Sequence, residues 1–220
     1  MRNCANDQTI NFGEQIQGFD PQSSKMKNLY PKIKFVYSLP YNRMLAEHEG
    51  KEFDEIQFRK EIQDYIKKLQ PKWQKIEKSV FRALKEIIKN EWQEKEIKCY
   101  VVKYCKFSAI SGPLTLREEK DFDYVFDLLI HELAHILVSY DFKKYKKIEK
   151  KLKEQFPNES PFIIRHIYIN WIELQVLRKL FNQKFVKKIL KKVLNIKGGK
   201  IWDIVLTREN NLKDLFEISE

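Results

Sequence analysis

Leu128-Leu129-Ile130-His131-Glu132-Leu133-Ala134-His135-Ile136-Leu137 combines one unbroken apolar background with three groups that can do chemistry. On a helix, residues four apart are neighbours on one face, so His131 and His135 stand one turn apart. Two imidazoles so placed can each give a nitrogen to one Zn²⁺ at about 2.0–2.1 Å. Glu132 follows His131 directly and is close enough to serve as general base toward a water that the ion activates. With four His in the chain, chance supplies a pattern of this form in roughly 0.007 of such sequences, so coincidence is a poor account of it. From Leu128 to Val138 every other residue is apolar, the mark of a buried helix. A buried helix does not carry two imidazoles and a carboxylate without partners.

A second stretch answers the first. Phe162 to Phe181 is apolar enough for another buried helix, yet it holds His166, Asn170 and Glu173. These fall at i, i+4 and i+7 and form one polar stripe. Buried polar groups need partners, and the partner expected here is the metal site. A catalytic zinc takes three protein ligands and keeps one position open, so either His166 or Glu173 completes the set. They lie about 10.5 Å apart along a helix, too far for both to reach one ion. Asp127, one turn before His131, is placed either to orient that imidazole or to be a solvated acid of the first turns.

The His131-Glu132-x-x-His135 pattern resembles the zincin metallopeptidases, and the resemblance covers residues 128–138 with a less specific match at Glu173. It implies a Zn²⁺ cofactor and a peptide or protein substrate. In the gluzincin branch a Glu from a later helix completes the site, which favours Glu173 as the third ligand beside His131 and His135. His166 would then point into the cleft and stabilise an oxyanion, with Glu132 as the base. The reverse assignment, with His166 as ligand and Asn170 or Glu173 behind it, stays open. An acidic residue four places after the Glu is common in that branch, whereas Leu177 stands there in this chain.

The rest of the sequence frames this reading. The chain has 220 residues, 42 basic and 31 acidic, for a net charge of +11. Only eight of the basic residues are Arg, the side chain suited to bidentate phosphate recognition. The Lys are scattered along helices, so no specific nucleic-acid surface is expected; salt-sensitive attraction to polyanions follows from charge alone. Cys4, Cys99 and Cys105 form neither a pairable set nor a CxxC. No apolar run approaches the roughly 18 residues of a membrane span, and the first residues lack the apolar core of a secretion signal. The expected compartment is the cytoplasm.

Residues 1–29 read as a polar arm and 30–220 as a single zincin-like domain. Lys32 to Ser38 alternates like a strand, and His48 falls in a polar stretch with no assigned role. Two helices follow, the second starting at Pro71 and carrying Trp73, Ile76, Val80, Phe81, Leu84 and Ile88 toward the core. Ile97 to Tyr104 is a second strand. Phe107 to Leu116 is broken by Gly112-Pro113, so any strand there is an edge, where an extended peptide could pair by strand addition. Glu118, Glu119, Asp121 and Asp123 crowd the start of the motif helix. A Lys-rich helix near 143–153, a basic helix at 183–194 and an apolar segment at 201–206 complete the chain. The expected fold is α+β and helix-rich: a small, mostly antiparallel sheet, the buried motif helix and a second helix facing it. The leading function is a zinc-dependent peptidase; the alternative is a zincin-fold regulatory or binding protein with a narrow substrate or none.

Overall fold

The computed structural model describes residues 30–195 and 199–217; the expected N-terminal arm lies outside them. Among the described residues, four strands and nine helices surround one continuous apolar core. The order is β1 (Lys32–Val36), α1 (Leu39–His48), α2 (Glu55–Gln74), α3 (Glu77–Ile88), β2 (Glu96–Val102), β3 (Ala109–Ser111), β4 (Leu114–Arg117), α4 (Phe122–Ser139), α5 (Phe142–Gln155), α6 (Pro161–Leu180), α7 (Gln183–Leu194), α8 (Gly199–Thr207) and α9 (Glu209–Glu217). No described helix is long and apolar enough to cross a membrane.

The class is α+β as expected, but the sheet is mixed rather than mostly antiparallel. Its order is β1-β2-β4-β3, with β1–β2 and β2–β4 parallel and β3–β4 antiparallel. The physical reason lies in the connections. Three helices intervene between β1 and β2, and a crossover of that kind delivers a parallel neighbour. After β2 the chain steps past one strand position, lays β3 at the rim, and turns at Gly112-Pro113 to bring β4 back into the gap. The edge expected near Gly112-Pro113 is therefore β3, while β4 is interior and its Leu114 and Leu116 are buried.

Pro71 does not begin a helix; it sits inside α2. A proline there forfeits the hydrogen bond to the carbonyl four residues back. That residue is Lys67, on the exposed side, where water can satisfy the carbonyl. Leu69 and Trp73, both fully buried on the opposite side, carry the helix through. The break comes at Lys75-Ile76 instead. Beyond it the Glu77 carboxylate accepts from the Trp73 indole N–H (2.9 Å) and from the Ile33 amide (2.7 Å), tying α3 to β1. The polar stretch around His48 is helical as well, and the buried Asn42 explains how it is held. Its side chain donates to the Val101 carbonyl (3.2 Å) and accepts from the Lys103 amide (3.1 Å), so α1 is stitched to β2.

The motif helix α4 lies in the middle of the molecule. Asp121 caps its first turn by accepting from the Asp123 amide (3.1 Å). Lys188 of α7 bonds both Asp121 (3.0 Å) and Asp123 (2.6 Å), so the acidic residues before the motif fix α7 against α4. One face of α4 packs on β3 and β4, and the others on α3 and α6. Phe126 is fully buried and lies 6.0 Å, centroid to centroid, from Trp73. Phe126→Ala is expected to cost about 3–5 kcal/mol through the cavity it leaves. Urea unfolding should show the midpoint falling with the slope unchanged; a loss under about 1 kcal/mol would place this contact outside the core.

Candidate metal centre

α6 runs antiparallel to α4 and crosses it so that successive turns of the two helices meet. Asp127, His131 and His135 occupy three turns of α4, each one turn after the last. On α6, Glu173 meets the Asp127–His131 level and His166 meets the His131–His135 level. The ring centroids of His131, His135 and His166 are 4.9, 5.6 and 5.1 Å apart. One nitrogen from each of the three converges within 4.8 Å of the others, close enough to bind a metal ion.

The hydrogen bonds set which nitrogen is available. His131 Nδ1 lies 2.7 Å from Glu173 Oε2, which engages that nitrogen and leaves Nε2 on the side of the other two rings. His166 Nδ1 lies 2.8 Å from the Phe162 carbonyl oxygen, which can only accept, so its Nε2 is also free to ligate. The Nε2 atoms of His131 and His135 are 3.2 Å apart. Two nitrogens each about 2.0–2.1 Å from a tetrahedral ion stand about 3.3 Å apart, so this spacing suits a shared ion. Burial pulls the pKa of all three imidazoles down, His166 to about 4, and neighbouring His and Arg165 charges add to the effect at His135. Neutral imidazole is the ligating form. The residues present therefore fit a metal ion.

The geometry sets Glu173 and His166 in positions opposite to those the family resemblance favoured. Glu173 does not face the converging nitrogens; it sits at the far nitrogen of His131, buried, with 2 % of its surface exposed. Next to it lies Asp127, equally buried. Burial pushes both carboxyls up, Glu173 to about 8, and the nearby Glu173 charge and a hydrogen bond between the two side chains push Asp127 further. Glu173 thus contacts both the Asp127 carboxyl and the His131 imidazole. The other Asp127 oxygen, Oδ1, has no partner among the described residues. Asp127 accordingly acts on His131 through Glu173 and is no solvated acid.

Asn170, expected to share the metal-facing stripe, is engaged elsewhere. With its amide oriented by its neighbours, it donates to the His166 carbonyl (3.2 Å) and accepts from the Trp202 indole N–H (3.2 Å), which anchors α8 on α6. His48 is exposed, as its polar setting implied, with Nδ1 3.8 Å from the Glu49 carboxylate.

Glu132 is buried on the sheet side of α4, and burial pushes its pKa up. Its carboxylate hydrogen-bonds the side chain of Ser111, the last residue of edge strand β3. Sequence reasoning did not single out Ser111, because nothing local marks a Ser after two apolar residues as a partner for a helix that begins later in the chain. The Phe162 ring, 4.1 Å from that of His166, was equally unmarked, although its position one turn before His166 could have suggested it. Compared with protein-family models, with characterised proteins and with solved structures, the chain matches none of them.

Proposed function

We propose that the chain is a zinc-dependent hydrolase of the zincin type, acting on peptide bonds, with His131, His135 and His166 as the ligands. The observation that carries this reading is the convergence of three neutral imidazole nitrogens beside a buried glutamate. Three nitrogen donors suit a catalytic zinc, which would keep a fourth position for water, better than a structural one. The three imidazoles are only half-buried, so the site has a solvent-facing side for a substrate. A zinc ion held there supplies Lewis acidity toward water and toward a scissile carbonyl.

The chain's own groups divide the remaining work. Glu132 takes the proton of the attacking water and passes it to the leaving amine. Its burial beside His131 and Ser111 keeps the carboxylate in place for that exchange. Glu173 holds His131 in the tautomer that keeps Nε2 bare, and Asp127 holds Glu173. Among the described residues the rim strand β3, which ends on Ser111, has no strand partner on its outer side and would offer that edge to an extended peptide.

Metal analysis of protein purified without chelator tests the foundation. About one equivalent of zinc is expected in the parent and well under that in His135→Ala, since a site reduced to two ligands binds far more weakly. A metal-free parent that takes up no added zinc would end the proposal.

A further inference from the structure

The face of α6 turned away from the metal centre lines a second cavity. It measures about 480 Å³ and lies between α3, α5, α6 and α9. That volume is within the range of small-molecule sites, roughly 300–1,000 Å³. Among the described residues its walls carry five cations, Lys89, Lys144, Arg178, Lys179 and Lys213, and one carboxylate, Glu86. Glu86 pairs with Lys179, and Glu209 of α9 pairs with Arg178. Lys144 donates to the Ile88 carbonyl (3.1 Å), and its pKa is lowered by burial and by the charge of Lys89. Positive charge is thus concentrated in a recess whose low-dielectric walls strengthen its field.

Aromatic rings supply the apolar part. Tyr168, Trp171 and Phe216 line the same cavity, with Phe216 packed 4.8 Å from Tyr168 and 4.9 Å from Trp171. Trp171 is 8 % exposed, and its indole N–H has no acceptor among the described residues. That N–H is itself shut away from solvent, so Trp171 offers the recess its ring rather than its donor.

We propose that this cavity is a binding site for a small organic anion. Its flat apolar body rests on Tyr168, Trp171 and Phe216, and its phosphate, sulfonate or carboxylate faces the surrounding cations. The site is separate from the hydrolytic centre and does not depend on the reading of that centre, because the two use opposite faces of α6.

Isothermal titration of the full, zinc-supplemented chain tests it with three probes: adenosine monophosphate, phenyl phosphate and naphthalene-1-sulfonate. Adenosine and inorganic phosphate serve as the uncharged and the ring-free controls. At least one aromatic anion is expected to bind with Kd below about 100 µM, about tenfold or more tighter than either control. The affinity should fall as salt rises. Trp171→Phe, which replaces the indole by a smaller ring, should weaken binding about fivefold through the lost stacking surface. Lys213→Glu should weaken it by about tenfold or more, with zinc content unchanged in both variants. The proposal is overturned if all three probes fail to bind, if inorganic phosphate alone binds as tightly as they do, or if neither variant alters the affinity.

Discussion

Glu132→Gln is expected to lower peptide hydrolysis by about 10²–10⁴-fold, the usual contribution of a positioned general base, while zinc content stays at the parent level. The substitution is nearly isosteric, and the amide can still bond the Ser111 side chain that the carboxylate bonds. What it removes is the capacity to accept and return a proton. The loss should fall on kcat rather than KM, because the carboxylate does its work after the substrate is bound. Assays need a broad peptide library and candidate protein partners, since a narrow substrate would escape a general protease assay. Undiminished cleavage by the variant would remove Glu132 from the mechanism.

His166→Ala and Glu173→Gln separate the two assignments that the amino-acid sequence leaves open. Structural zinc sites bind with about 10–16 kcal/mol over four ligands, so deleting one ligand corresponds to about 10²–10³-fold in affinity. That loss is expected for His166→Ala, whose imidazole lies among the converging nitrogens and is only half-buried, so the fold should survive the change. Glu173→Gln should cost about tenfold, the low end for a residue that orients a ligand, because the amide oxygen can still accept from His131 Nδ1. Zinc affinity measured by competition with a chelator gives both numbers. The opposite ranking would return Glu173 to the ion and His166 to the cleft.

The difficulty at these two residues shows where sequence reasoning stopped. Helical spacing placed His166 and Glu173 on one face of α6 and made it clear that only one reaches the ion. Which one does depends on the level at which α6 crosses α4, a tertiary quantity that no local period encodes. The motif helix itself was fully legible, because an apolar run interrupted only by His131, Glu132 and His135 admits few other readings. The helix pairing across the site followed for the same reason, since α6 carries buried polar groups that need partners. Sheet direction was not legible from the strands, whose alternation is identical in parallel and antiparallel pairs; the three helices between β1 and β2 were the signal for a parallel neighbour. Pro71 misled because a proline suits a helix start, and only the burial of Trp73 and Leu69 shows the helix running through it. α1 escaped notice because its inward anchor is Asn42, a polar residue that satisfies backbone groups of β2.

The brevity of the rim strand sets a limit on what the protein could cleave. Ala109 to Ser111 is only three residues long, so a chain laid along it gains very few main-chain bonds, each worth about 0.5–1.5 kcal/mol net. Such a ledge grips every polypeptide equally and none of them firmly. On the proposed peptidase reading, selection would have to come from side chains seated around Phe162 and the histidines, which would suit cutting one chosen partner better than bulk digestion.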